Sequence, residues 1–408
     1  MLKNYFRLFS ECYLVNGKNG GAIYNLANGY IYNINQFQFK TLFLLEQNNS
    51  IKSVINENIF TKIELEEFLQ DLVEADLGCF HNKEVYIEKL STDPEWKNFL
   101  FFTPPPYLRR AFIELDNRCN NNCIFCNTDN YIRRNMCLGC NKHILKDEII
   151  NKQKIFTVLD HLKKLKCEEI NFTGGDVFLD LKRTKEILEM SDKLNFKNVN
   201  IFWGGEKLTN EIIDILKNSN VTLIIQKYIE NDLDIENDNL IKKLKKLDLN
   251  IGFVLLLKYE NNHKIEKILN LINSTLNCKF VTYDFLLSDS SPIKEYMKNL
   301  NIIPMVKVDE FFLKRKFNSC LKGTLSITAD GHITPCPGLR NYEIGHVDKF
   351  LDIFKSNKLN DFWELSKEKI EGCKDCQFRY ACNDCRYIET KLGSDLFGMN
   401  SCNQLNKI

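Results

Sequence analysis

"RCNNNCIFCNTDN", residues 118–130, places Cys119, Cys123 and Cys126 within eight positions of one loop. It follows directly on "RAFIELD" (110–116), a run with the length and composition of a buried strand. Structural zinc normally takes four ligands, whereas soft thiolates also suit iron–sulfur chemistry. Three thiolates on a four-iron cubane leave one iron without a protein ligand, and there another molecule can coordinate. The competing reading is a zinc loop whose fourth ligand lies elsewhere. The next strand, "EEINFTG" (168–174), decides between them, because it opens into Gly174, Gly175 and Asp176. Glycines let the backbone come close to a ligand, and a carboxylate accepts hydrogen bonds from an ammonium group. Placed at the mouth of the neighbouring strand, this is what an amino-acid-like cofactor would require.

Outward from these two motifs the chain alternates strand and helix six times. The remaining strands are "VNIFWG" (199–204), "VTLIIQKY" (221–228), "NIGFVLLL" (250–257) and "FVTYDFLL" (280–287). Between them lie amphipathic stretches such as "KQKIFTVLDHLKKL", with apolar residues three and four apart. The pattern predicts a parallel sheet with right-handed crossovers. The fold class is α/β, a partial (β/α)6 TIM barrel over residues 110–303, with ligands at the C-terminal strand ends.

The flanks read differently. Residues 1–88 show three short strands, "RLFSECYLV", "GAIYNLAN" and "GYIYNIN", and then helices. A small winged-helix-like module fits, and its plain alternative is a folding cap. The linker 89–109 carries Pro104–Pro106, which no helix can continue through. Residues 304–408 are loop-rich and punctuated by cysteine, and metal clusters would act as their core. The 408 residues carry sixteen cysteines and a formal net charge of +1. That balance predicts neither nucleic-acid nor membrane binding. With no signal-peptide pattern and no apolar run of membrane-spanning length, the expected location is cytoplasmic and the thiols are expected as metal ligands rather than disulfides.

C-x3-C-x2-C after strand one, with Phe125 before the last cysteine, resembles the radical S-adenosylmethionine (SAM) enzymes, and so does Gly174-Gly175-Asp176 after strand two. The resemblance implies that the amine and carboxylate of SAM chelate the open iron of a [4Fe-4S] cluster. Reductive cleavage then yields a 5′-deoxyadenosyl radical, with the electron drawn from a flavodoxin or ferredoxin-like donor. "WGGEKLTNEII" is similar to a family loop after strand three, though Gly205 stands where Asn is usual. Gln226 and Lys227 are candidates for the SAM ribose or carboxylate, core packing or surface exposure being the alternatives. Of Tyr283 and Asp284, strand alternation sends one inward, where it is a candidate proton acceptor.

The C-terminal cysteines resemble the SPASM domain. The resemblance implies an outer cluster on Cys373, Cys376, Cys382 and Cys402, and an inner one on Cys320, Cys336 and Cys385. Two residues rather than three separate Cys382 from Cys385, and no cysteine stands between Cys320 and Cys336. The inner cluster is therefore expected either to keep an open iron or to use another ligand. Cys137, Cys140 and His143 form C-x2-C-x2-H, read either as a metal or redox site or as unpaired loop thiols. Cys12, Cys79, Cys167 and Cys278 sit in apolar settings and are expected in cores.

Together the three regions resemble maturases of ribosomally made peptides. The resemblance implies a precursor peptide whose leader adds a strand to the N-terminal sheet, and hydrogen abstraction followed by a crosslink, foremost a cysteine thioether. Carbon–carbon or carbon–oxygen crosslinking and formylglycine formation are alternatives. A non-catalytic iron–sulfur scaffold is the reading from a different class.

Overall fold

The computed structural model describes residues 4–57, 61–91, 108–121, 123–126, 132–133, 135–140, 143, 145–205, 207–231, 233–287 and 305–402. The three prolines of the linker, the predicted boundary near 303 and the Phe125 side chain lie outside the described residues.

At the N-terminus, β1 (Tyr5–Leu8) precedes an antiparallel meander of β2 (Cys12–Gly17), β3 (Gly20–Asn25) and β4 (Ile31–Asn35). Helices α1 (Gln36–Glu46), α2 (Ile51–Asn56) and α3 (Lys62–Glu74) follow, and β5 (Gly78–His81) returns to pair antiparallel with β1. The single strand expected over 7–15 is thus two, broken where Cys12 N donates to Phe9 O at 3.0 Å. The break lets Phe6 and Leu8 pack with Leu42, Leu45, Leu65 and Leu69 in one small core. Reciprocal capping boxes, Asn35 with Gln38 and Thr61 with Glu64, start α1 and α3.

Six parallel strands then follow in chain order. These are β6 (Arg110–Asp116), β8 (Glu169–Gly174), β9 (Asn198–Trp203), β10 (Thr222–Tyr228), β11 (Ile251–Lys258) and β12 (Phe280–Leu287), with β7 (Ile132–Arg133) antiparallel beside β12. Helices α4 (Lys152–Lys164), α5 (Leu181–Leu194), α6 (Asn210–Lys217), α7 (Leu233–Glu236), α8 (Asn239–Leu244) and α9 (Ile265–Thr275) fill the crossovers. Alternation sorts the strand residues. Ile201, Leu223, Ile225, Phe253 and Leu255 face the helices, while Phe202, Ile224, Val254, Leu256 and Leu286 line the opposite face with Cys123 and Cys140. Among the described residues β6 and β12 do not pair and the sheet stays open.

Part of the C-terminal region joins the main sheet and its core. After α10 (Val308–Lys316), β13 (Thr324–Ile327) adds in parallel to β6, and β14 (His332–Thr334) and β15 (Gly345–His346) extend the sheet to ten strands. Leu325, Ile327, Ile333, Phe350 and Trp363 join the main core. Strands of two to four residues carry too little pattern to be read in advance. The N-terminal meander rests on the far side of this region. Arg379 Nη2 donates to Asn16 Oδ1 at 2.8 Å, Tyr24 Oη to Gln377 O at 2.8 Å and Lys18 N to Asp375 O at 2.8 Å. Phe311 and Tyr380 pack on Tyr24 and Val15.

Candidate metal centres

The cysteine triad leaves the sheet through a sharp turn capped by Asp116. Its Oδ1 accepts from Asn117 N at 2.8 Å and Arg118 N at 2.9 Å, and its Oδ2 lies 2.6 Å from Arg118 Nη2. Burial opposes ionisation, but the hydrogen bonds from Arg118 and Asn117 hold this carboxyl below the usual range. Beyond the turn, Asn121 N donates to Cys119 Sγ at 3.4 Å, and a 3-10 turn closes with Cys126 N on Cys123 O at 3.0 Å. Gly174 has φ +134°, and a Cβ there would lie 2.1 Å from Asp116 O; at Gly175 it would lie 2.4 Å from Arg118 O. Only glycine allows these two strand ends to meet. The sequence pointed to a close approach of a ligand here, and the close approach that the structure describes is to the backbone of the triad loop. Asp176 follows with its N donating to Arg118 O at 2.9 Å and its Oδ1 accepting from Phe178 N at 3.1 Å.

Cys119, Cys123, Cys126, Gly174, Gly175 and Gly204 line one small cavity, and Cys140 lines it with them. Contact with Cys126 and burial push the Cys123 thiol up, with Cys140 and Cys119 adding to it. Burial, with Cys126 nearby, pushes Cys140 up to about 12. Thiols crowded in this way ionise readily only with a cation among them, which an iron cluster supplies.

The other candidates divide by strand face. Gln226 is buried beside Gly139, and neither its Oε1 nor its Nε2 has a hydrogen-bond partner among the described residues. A buried amide left unpaired is costly, and it suits a position that a polar ligand completes. Lys227, one residue on, turns to the other face and pairs with Asp238. Tyr283 likewise stays on the helix side, its ring 5.4 Å from that of Phe285. Asp284 is the inward member of that pair. It is fully buried, 3.8 Å from Arg133 Nε, and its Oδ2 accepts from Asn135 N at 2.9 Å. It therefore holds the segment after β7 in place. Sequence reading missed Arg133 because its partner lies 151 positions away (284 − 133).

Cys320, Cys336 and Cys385 line a second cavity, of about 270 Å³, and Cys137 lines it too. Burial, with Cys320 nearby, raises Cys137 to about 11 and Cys336 to about 12. Arg110 reaches into this cavity, its Nη2 3.1 Å from Cys320 O and 3.8 Å from Cys320 Sγ. At the outer set, burial raises Cys373, Cys376 and Cys382, and Cys402 acts on the last two. Buried Lys367 adds a cation, its Nζ 4.0 Å from Cys373 Sγ and 3.8 Å from Asp384 Oδ1. Asp384 lies between the two sets, bound to Arg386 Nε at 2.6 Å and Asn318 Nδ2 at 2.9 Å. The shortened spacing thus still sends Cys382 to the outer set and Cys385 to the inner one. No three described His, Cys, Asp or Glu residues converge closely enough for a single metal ion.

C-x2-C-x2-H does not form one site. Cys137 faces the inner auxiliary cavity and Cys140 the triad, while His143 lines a separate cleft with Arg340, Tyr342 and Lys391. Its main chain is clasped by Asn117, with His143 N donating to Asn117 Oδ1 at 2.7 Å. Of the isolated cysteines, Cys12 and Cys167 are buried in cores, and Cys79 and Cys278 are half-buried.

Comparison with known proteins matches these regions one by one. Residues 113–272 match the family model of the Radical SAM superfamily, and residues 319–377 match that of SPASM, an iron–sulfur cluster-binding domain. A Bacillus subtilis (strain 168) protein described as "Putative peptide biosynthesis protein YydG" is 24% identical over 284 residues, 66% of this chain and 82% of that one. Streptococcus suis SuiB bound to its precursor peptide SuiA is 14% identical, with a TM-score of 0.50 over 98% of this chain and 100% of SuiB. Native anSMEcpe with bound AdoMet is 15% identical, with a TM-score of 0.51 over 73% of this chain and 95% of that one. These two structures share the fold. No described helix is long and apolar enough to cross a membrane.

Proposed function

We propose that this chain, a radical SAM enzyme with a SPASM domain, takes a hydrogen atom from a ribosomally made precursor peptide and installs a crosslink, with a cysteine thioether as the product. The observation that carries the reading is the triad cavity. Three thiols, two glycines that bring the strand ends together and the Gln226 amide, unpaired among the described residues, lie on one face of the sheet. When bound at the open iron, SAM supplies a 5′-deoxyadenosyl radical. Asp176 and the backbone at Gly174 and Gly175 would hold its amine, and Gln226 would take a ribose or carboxylate oxygen. Lys227 and Tyr283, turned to the helix side, would act only through packing, and Asp284 through the loop it anchors.

A peptide substrate is supported by the description of the Bacillus subtilis relative and by the SuiA complex of SuiB. The leader would add a strand at an open edge of the N-terminal meander, β2 or β4. This tethers the core peptide near the triad and raises its effective concentration. In the bond-forming step a substrate C–H and a cysteine S–H become C–S. One hydrogen atom leaves on 5′-deoxyadenosine and the thiol proton passes to solvent. Auxiliary clusters held by Cys320, Cys336 and Cys385 and by the outer cysteines would accept the remaining electron. A flavodoxin or ferredoxin-like protein supplies the electron that cleaves SAM.

The test incubates anaerobically reconstituted enzyme, SAM, reductant and a cysteine-containing leader–core peptide from a neighbouring short reading frame, chosen as candidate precursor. The expected product is lighter by two hydrogens per crosslink and has lost one alkylatable thiol. The same mass loss with every thiol still alkylatable would replace the thioether by a carbon–carbon or carbon–oxygen bond. Unchanged turnover of a leaderless peptide would remove the recognition step.

A further inference from the structure

We infer that Cys137 is the fourth thiolate of the inner auxiliary cluster, completing with Cys320, Cys336 and Cys385 a shell that the C-terminal domain alone leaves short. The inference rests on reading those three cysteines as cluster ligands. No cysteine stands between Cys320 and Cys336, so the domain's own sequence offers three thiols for four corners. All four residues line the same cavity of about 270 Å³, into which Arg110 also reaches.

Cys137 is held there by its neighbours. Asn135 N donates to Asp284 Oδ2 at 2.9 Å on the side of β12, and Thr173 Oγ1 donates to Gly139 O at 2.7 Å on the side of β8. Between these anchors Leu138 N closes a turn onto Asn135 O at 2.8 Å, and Arg133 Nη2 binds Leu138 O at 3.1 Å. The turn directs Cys137 to the auxiliary cavity and Cys140, three residues on, to the triad. Three residues span at most about 10 Å, so one short covalent path joins the two centres. Four thiolates saturate a four-iron cluster. With all four corners held by protein thiolates, the site would serve electron uptake and leave no iron for substrate sulfur.

The test uses the full chain with Cys119, Cys123 and Cys126 replaced by alanine, so that only auxiliary clusters remain after anaerobic reconstitution. This parent should carry about eight irons and show no change in its reduced electron paramagnetic resonance spectrum on adding cyanide. Adding Cys137→Ala should either release about one iron, with the signal of an oxidised three-iron cluster, or leave a four-iron cluster whose spectrum now shifts with cyanide. Cys137→Asp, which keeps an anionic ligand should the alanine variant not fold, should retain the iron with a shifted spectrum. Cys140→Ala should match the parent. A Cys137→Ala protein with the parent's iron and spectrum and no cyanide response overturns the assignment, as does a parent that itself responds to cyanide. Cys336→Ala separates the two levels, because it should strip the inner cluster whatever Cys137 does. Full iron in that variant would overturn the underlying cluster reading instead.

Discussion

Cys119, Cys123 and Cys126 reach their cavity from one short loop, whereas Cys320, Cys336 and Cys385 are spread along the C-terminal region and meet Cys137 from between β7 and α4. The first set is a local device in which a strand end, a capped turn and two glycines hold three thiols together. The second is assembled by tertiary contacts alone. The contrast follows the tasks proposed for them. A cluster that must bind a cofactor needs one iron left open, so three thiols on a single loop suffice. A cluster that only passes electrons gains from full ligation, and its fourth thiol can come from any segment brought close. The loop from Arg133 to Cys140 touches both cavities, so disturbing it tests whether they are independent.

The same substitution in the two cavities should give the largest contrast. Cys123→Ala is expected to lower 5′-deoxyadenosine formation by at least about a thousandfold, an added barrier above about 4 kcal/mol. Cys336→Ala should keep SAM cleavage within about tenfold of wild type while abolishing the crosslinked product. Chromatography of 5′-deoxyadenosine alongside peptide mass spectrometry reads both. Equal loss of SAM cleavage in the two variants would show that the cavities are not separable.

Asp284→Ala should come next. It leaves the buried Arg133 guanidinium without its carboxylate, an effect of about 3–5 kcal/mol, and frees Asn135 N. Chemical denaturation measures the loss, and the auxiliary spectrum should change as Cys137 is released. Destabilisation with unaltered spectra of both clusters would mean that the pair does not position the loop.

His143 should be felt through pH rather than iron. Burial, with Arg340 and Lys391 nearby, lowers it from 6.5 to about 3. The native state then stays neutral while the unfolded chain takes up a proton below about 6.5, so stability is whole above that value and is lost as the pH falls towards 3. At pH 5 the loss is about 2 kcal/mol. His143→Gln should remove this slope in unfolding measurements between pH 7 and pH 5 and leave the iron content unchanged. Lost iron would return His143 to the metal sites.

Lys227→Ala should have the smallest effect. Its pairing with Asp238 is partly exposed, and such pairs contribute about 1 kcal/mol or less. SAM affinity should be unchanged, and a weakened affinity would bring Lys227 back to the cofactor.

Much of this could be read in advance, and the exceptions share a cause. The six parallel strands stand within a residue or two of their predicted limits, because each is a continuous apolar run bounded by breakers. The first predicted strand failed at Ser10 and Glu11, where a turn splits it, and β13 to β15 were missed as too short to show a period. Alternation separated Tyr283 from Asp284 but could not say which member faced the thiols, and Gln226 and Lys227, read together as cofactor candidates, lie on opposite faces.

The order of residues along the chain was enough to determine the triad, the glycine pair and the succession of strands and helices, since each depends on neighbours a few positions apart. Which cavity each thiol of "CLGC" enters, what Arg133 and Asp284 do for each other, and how the C-terminal strands extend the sheet were decided only when distant segments packed. Spacing records local geometry, whereas a contact between residues far apart in the chain depends on the path of everything folded between them.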